Sequence, residues 1–125
     1  EHLAVTRDQS RRLQSCIATR GGDTSTIKDM AGKMTAMGQG VSGMFATDEI
    51  VKGAMSLYTF ENMEIAAYRV LVAAAEHVGD TATAAVLQGI LEEEIEAAET
   101  VGAMLPDITA RYLTREEATG IEAKR

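Results

Sequence analysis

Glu61 and Glu64 stand one helical turn apart where an apolar seam should continue. Ala54, Leu57, Glu61, Glu64, Tyr68, Leu71, Ala75 and Val78 repeat in alternating steps of three and four. A second seam, Leu87, Leu91, Glu94, Ala98, Val101 and Leu105, carries Glu94 in its middle. A carboxylate taken out of water costs free energy, so an acid in a helical seam should be protonated, paired, or bound to a cation. Carboxylates facing inward from several helices of a bundle are the usual way to build a paired-metal site. Oxygen donors of this kind suit iron or manganese. The competing reading rotates the first helix so that Met55, Tyr58, Asn62, Ile65 and Val72 are buried and both acids reach water. Glu94 lies in the acidic run Glu92, Glu93, Glu94, Glu96 and Glu99, and such runs are mostly solvated faces.

Other chemistry-bearing residues are weaker candidates. Tyr68, one turn after Glu64, can donate to a metal-bound carboxylate or fill the core. His77 suits a helix C-terminus, where the dipole favours it on the surface. His2 sits at the chain end and carries no reading. Met30, Met34 and Met37 form a stripe that reads as core filling, with no thiolate or histidine beside it. Cys16 has no paired His, which argues against a nucleophile.

The elements that must position the acids follow from spacing and punctuation. Leu3, Thr6, Ser10, Leu13 and Ile17 predict a helix from His2 to about Thr19, with Arg7, Arg11 and Arg12 on or beside its solvent face. Gly21 and Gly22 stop it. The stretch Ile27, Met30, Met34, Met37, Val41 and Met44 is helical in spacing but weakened by Gly32, Gly38, Gly40 and Gly43. Asp48 caps a long helix running to about Val78. Gly79 terminates that helix and Asp80 caps the next, from Thr81 to about Met104. Pro106 suits the first turn of a further short helix, and Thr114 with Glu117 reads as a capping box before a fraying polar tail.

With 125 residues, one domain is the most the chain holds. Aromatic residues are only 4%, with no Trp and one Pro, which favours helices over sheets. A formal charge of −7 opposes general affinity for nucleic acid or anionic lipid, because both need clustered Lys and Arg. The single cysteine excludes an internal disulfide and points to a reducing, cytoplasmic setting. The most apolar stretch, residues 65–78, is broken by Arg69 and Glu76 and is too short for a bilayer, so a soluble protein without a membrane partner is expected. The chain opens with Glu1 inside an apparent helix and without an initiator Met, so it is expected to be part of something longer.

The run Asp48-Glu-Ile-Val-Lys through Glu61-Asn-Met-Glu-Ile-Ala-Ala-Tyr68, then Ala75-Glu-His-Val-Gly79 and Leu91-Glu-Glu-Glu94, resembles the YciE/YciF-type ferritin-like family of bacteria. His2-Leu3, Thr6, Gln9 and Leu13 look like that family's second helix. The resemblance implies a four-helix, rubrerythrin-like bundle, usually dimeric, with a di-iron site and a loose association with stress responses. It implies that Glu61 and Glu64 are the third-helix metal carboxylates and Glu94 the fourth-helix one. It also marks departures. Ala4 and Val5 stand where the family commonly has carboxylates, Arg7 where it often has His, and Ala98 where it often has Asp. Neither His has a Glu three residues before it, so the Glu-x-x-His pattern of ferritin-like metal sites is absent.

The expected fold is all-α, a ferritin-like four-helix bundle with the first helix absent, forming one domain over 1–125 with a polar tail from 114. A homodimer is expected, because an open apolar face needs a cover. Two functions stay open. One is a stress-associated carboxylate di-metal protein in which Glu61, Glu64 and Glu94 hold iron. The other is a metal-free structural or interaction module with an Arg7-centred ion-pair network among the glutamates.

Overall fold

The computed structural model describes residues 2–22 and 49–119 as three helices and no strand. They are α1, His2–Thr19; α2, Glu49–His77; and α3, Thr81–Thr119. The Met-rich stretch 27–44, the capping position Asp48 and residues 120–125 lie outside the described residues. α2 lies along α3, and α1 packs against α3.

The boundaries follow from backbone chemistry at two glycines. Gly21 and Gly79 take positive φ, 70° and 75°, where a side chain would be strained. After α2, the Asp80 N–H donates to the Ala75 carbonyl at 2.9 Å and the Gly79 N–H to the Glu76 carbonyl at 3.0 Å. This double bond pattern closes a helix end on a left-handed residue. After α1 the same pattern joins Gly22 to Ile17 and Gly21 to Ala18. Asp80 then opens α3, its Oδ1 accepting from the Thr83 N–H at 2.9 Å. The Arg20 Nε donates to Asp80 Oδ2 at 2.6 Å, which ties the end of α1 to the α2–α3 corner. These donors hold the Asp80 carboxyl down at about 2, the Thr83 bonds first and Arg20 after them.

The core is the α2–α3 seam: Tyr68, Ala75, Ala84, Leu87, Ile90 and Leu91 are buried, with Leu13, Ile65, Val72, Val86 and Ile95 packed against them. The α3 seam is as predicted, with Leu87, Leu91, Glu94 and Ala98 buried. The α2 seam is only half right. Glu61, Tyr68 and Ala75 are buried, whereas Leu57, Leu71 and Val78 are exposed. The cause is the narrowness of the contact. Residues 57, 64, 71 and 78 lie about 40–60° around the helix from the line of 61, 68 and 75, and α3 covers that line and leaves the edge beside it open. Val78, at the end of that series, is 65% exposed. The rotated alternative fails too, since Met55, Tyr58 and Asn62 face solvent.

The short helix expected after Pro106 does not exist as a separate element, because α3 runs through it for 39 residues. A helix-interior proline removes one donor and crowds the carbonyl four residues back. That carbonyl belongs to Gly102, and Pro106 itself lies on the exposed side of the helix. The half-buried line Val101, Leu105, Ile108 and Tyr112 continues in helical steps past the proline and keeps the chain helical. Thr114 caps nothing. Its hydroxyl donates back to the Ala110 carbonyl at 2.9 Å, as a mid-helix threonine does.

Candidate metal centre

Glu61 and Glu64 project from α2 one turn apart, and Glu94 meets them from the facing seam of α3. The α2–α3 corner fixes the register that brings the three together. One carboxylate oxygen from each lies within 4.8 Å of the others. Glu61 is 0% exposed and Glu94 2%, while Glu64 is half-buried. The acids therefore point into the seam.

Three negative charges cannot share a dry pocket without compensation. Burial pushes the Glu61 carboxyl up, a hydrogen bond with Glu94 opposes that rise, and the charge of Glu64 adds to it. Glu64 is pushed up to about 7, first by burial and then by the charge of Glu94 and a hydrogen bond to it. Without a cation, burial and mutual repulsion favour the protonated form at Glu61 and Glu64. Tyr68, one turn beyond Glu64, is buried, and its phenol is pushed up to about 12 by burial and by the charges of Glu64 and Glu94. It stays protonated and can act as a donor at any ordinary pH.

α1 closes the other side with residues other than those the resemblance implied. Ala4, Val5 and Arg7 are all exposed. An internal ion-pair network centred on Arg7 is thereby ruled out. The α1 side chains that reach the acids are Gln9 and Arg12. Gln9 Nε2 donates to Glu94 Oε1 at 2.6 Å and to Glu93 Oε2 at 3.1 Å. Arg12 Nη2 donates to Glu93 Oε2 at 2.5 Å, and its Nε pairs with Asp8 Oδ2 at 3.0 Å. The Glu93 bond, set against the cost of burial, raises the already high pKa of the Arg12 guanidinium. Gln9, Arg12 and Glu93 were missed in the sequence, since arginines read as solvent-facing and Glu93 as one of an acidic run. The available signal was that Gln9 precedes Leu13 by four residues and so shares its face.

His77 and Glu99 are exposed, and Cys16 is a free, half-buried thiol. Ala98, where the resemblance suggested an Asp, is buried on α3 and lines a groove of about 490 Å³ with Asn62, Ile65, Arg69, Glu99 and Gly102. Among the described residues, Glu61, Glu64 and Glu94 are the group of acids placed to hold a metal ion. None of the helices, searched over the described residues, is long and apolar enough to cross a membrane.

No solved structure matches the chain. Residues 1–114 match the family described as Domain of unknown function (DUF892), which leaves only the last eleven residues outside. The match spans α1, α2 and most of α3, with the inward-facing carboxylates they carry, and this protein belongs to the DUF892 family.

Proposed function

We propose that this protein is a ferritin-like, carboxylate metal-binding protein in which Glu61, Glu64 and Glu94 hold a divalent cation, iron being the favoured one. The observation that carries this reading is the convergence of three carboxylates from two helices within 4.8 Å, two of them almost wholly shielded from water. The donor set fits. Metal–oxygen bonds of about 2.0–2.2 Å put neighbouring ligand oxygens roughly 3–4 Å apart, so small side-chain rotations bring the three into coordination distance. All-oxygen donors suit a hard or borderline ion such as iron(II) or manganese(II) and disfavour copper(I). Such an ion, when bound, supplies one-electron chemistry toward oxygen or peroxide, in keeping with the stress association that the resemblance implies.

The chain's own residues set the conditions. Glu61 and Glu94 are held out of water by the packing around them, Tyr68 holds a proton beside Glu64 and Glu94, and Glu64 gives or takes a proton near neutrality. Loading a cation expels the carboxyl protons, so binding strengthens as pH rises.

The second reading is a metal-free structural module. It draws on the hydrogen bond between Glu61 and Glu94, through which the cluster can satisfy itself by keeping protons. Elemental analysis separates the two. Full-length protein is loaded with iron, desalted and assayed beside Glu61→Gln. Stoichiometric iron in the wild type and its loss in the variant are expected. A content near zero in the wild type after loading overturns the metal reading.

A further inference from the structure

Glu93 and Glu94 are neighbours on α3, about 100° apart around its axis, and α1 treats them differently. Arg12 engages Glu93 at 2.5 Å, at the half-exposed rim. Gln9, one turn before Arg12, spans both acids. Its Nε2 donates to Glu94 Oε1 at 2.6 Å and to Glu93 Oε2 at 3.1 Å. Gln9 is itself only 7% exposed. A glutamine in this place has a distinct effect. Its amide gives two N–H donors in one plane and carries no charge, so it restrains carboxylates without neutralising them. A lysine or arginine here would compete with a cation for Glu94.

We propose that Gln9 is a positioning residue of the centre: its carboxamide holds Glu94 Oε1 from the α1 side, so that Oε2 turns toward Glu61 and Glu64, and ties Glu93 back beside Arg12. This inference rests on the metal reading of the cluster. It gives α1 control of the site's geometry through a residue that touches a ligand and not the ion. Arg12 completes the sorting by neutralising Glu93 outside the pocket. Outer partners of this type orient ligands, and their loss weakens metal binding by about 10–100-fold.

The test is titration of the metal-free full chain with Mn²⁺ by calorimetry and with Co²⁺ by visible absorption, alongside a melting curve of the metal-free form. Wild type, Gln9→Met and Gln9→Asn are compared. The methionine variant keeps the volume and removes both donors. Its Mn²⁺ affinity should fall about 10–100-fold, with a shifted Co²⁺ band that reports altered ligand geometry. If it does not fold, Gln9→Asn serves, because it keeps the amide but withdraws it by one methylene. A fall of at least about fivefold is then expected. Wild-type affinity and an unchanged Co²⁺ band in the folded variant overturn the proposal, even if the melting temperature drops, since that is what a merely structural glutamine would give. Absence of Mn²⁺ and Co²⁺ binding in the wild type is a different result and overturns the metal centre itself.

Discussion

Neutralising Glu64 should make the metal-free protein more stable at alkaline pH and leave it unchanged in acid. The Glu64 carboxyl is pushed up from 4.5 to about 7 in the folded chain. A raised carboxyl pKa means that folding favours the protonated form. The stabilisation is fully present below the unfolded value and is lost as pH rises through about 7. At pH 8 to 9 the folded protein therefore carries a penalty that glutamine does not. The difference of 2.5 pKa units gives an upper bound of about 3 kcal/mol. Glu64 is partly exposed, and solvent screening brings the working figure to about 1–2 kcal/mol. For a chain of this length that is roughly 3–10 °C in melting temperature. The assay is thermal unfolding by circular dichroism of wild type and Glu64→Gln with a chelator present, from pH 4 to 9. The gap should be near zero at pH 4, open in favour of the variant as pH rises from about 4.5, and level off above about 7. Saturating Mn²⁺ should reverse the order, because an ion that binds only the folded state stabilises the chain that holds it more tightly. A gap that does not vary with pH, or a variant less stable than wild type at pH 8, refutes the electrostatic account of the cluster.

Adjacent acids should separate cleanly. Glu94→Gln is expected to lower Mn²⁺ affinity by about tenfold or more, whereas Glu93→Gln should stay within roughly threefold of wild type by calorimetry, because Arg12 keeps Glu93 out of the pocket. Ile90, 0% exposed at the centre of the α2–α3 seam, should cost about 2–5 kcal/mol when cut to alanine, read as a lower denaturation midpoint in urea. Gly79→Ala forces a methyl-bearing residue into φ of 75°. It should cost about 1–2 kcal/mol in the same assay, although the space around it is open and no clash contributes.

Much of this structure was legible in the residues, and the gaps have physical causes. The ends of α1 and the α2–α3 corner were readable because Gly21, Gly79 and Asp80 do chemistry that few other residues can do. Burial of Glu61, Glu94, Leu87 and Leu91 was readable because helical periodicity is a geometric constraint. Leu57, Leu71 and Val78 misled, since spacing of three and four marks a stripe two residues wide and cannot report that the neighbouring helix covers only one of its two lines. Pro106 misled in the opposite direction. A local breaker was overruled by a seam that continued on both sides of it. The contribution of α1 was hidden for a third reason. Which of its faces meets α3 depends on a long-range docking, and Gln9 gains meaning only once Glu94 lies opposite.

The corner at Gly79 and Asp80 has a consequence for the order of assembly. All three acids sit on two helices joined by a three-residue turn, so their meeting requires closure of one short hairpin and no distant encounter. Local contacts of this kind form fast, on the scale of microseconds to milliseconds. The carboxylates can thus meet without α1, and on the metal reading proposed above a bound cation would relieve their repulsion. On that reading, metal availability during synthesis would bear on how quickly the hairpin matures, and not only on whether the finished protein is loaded.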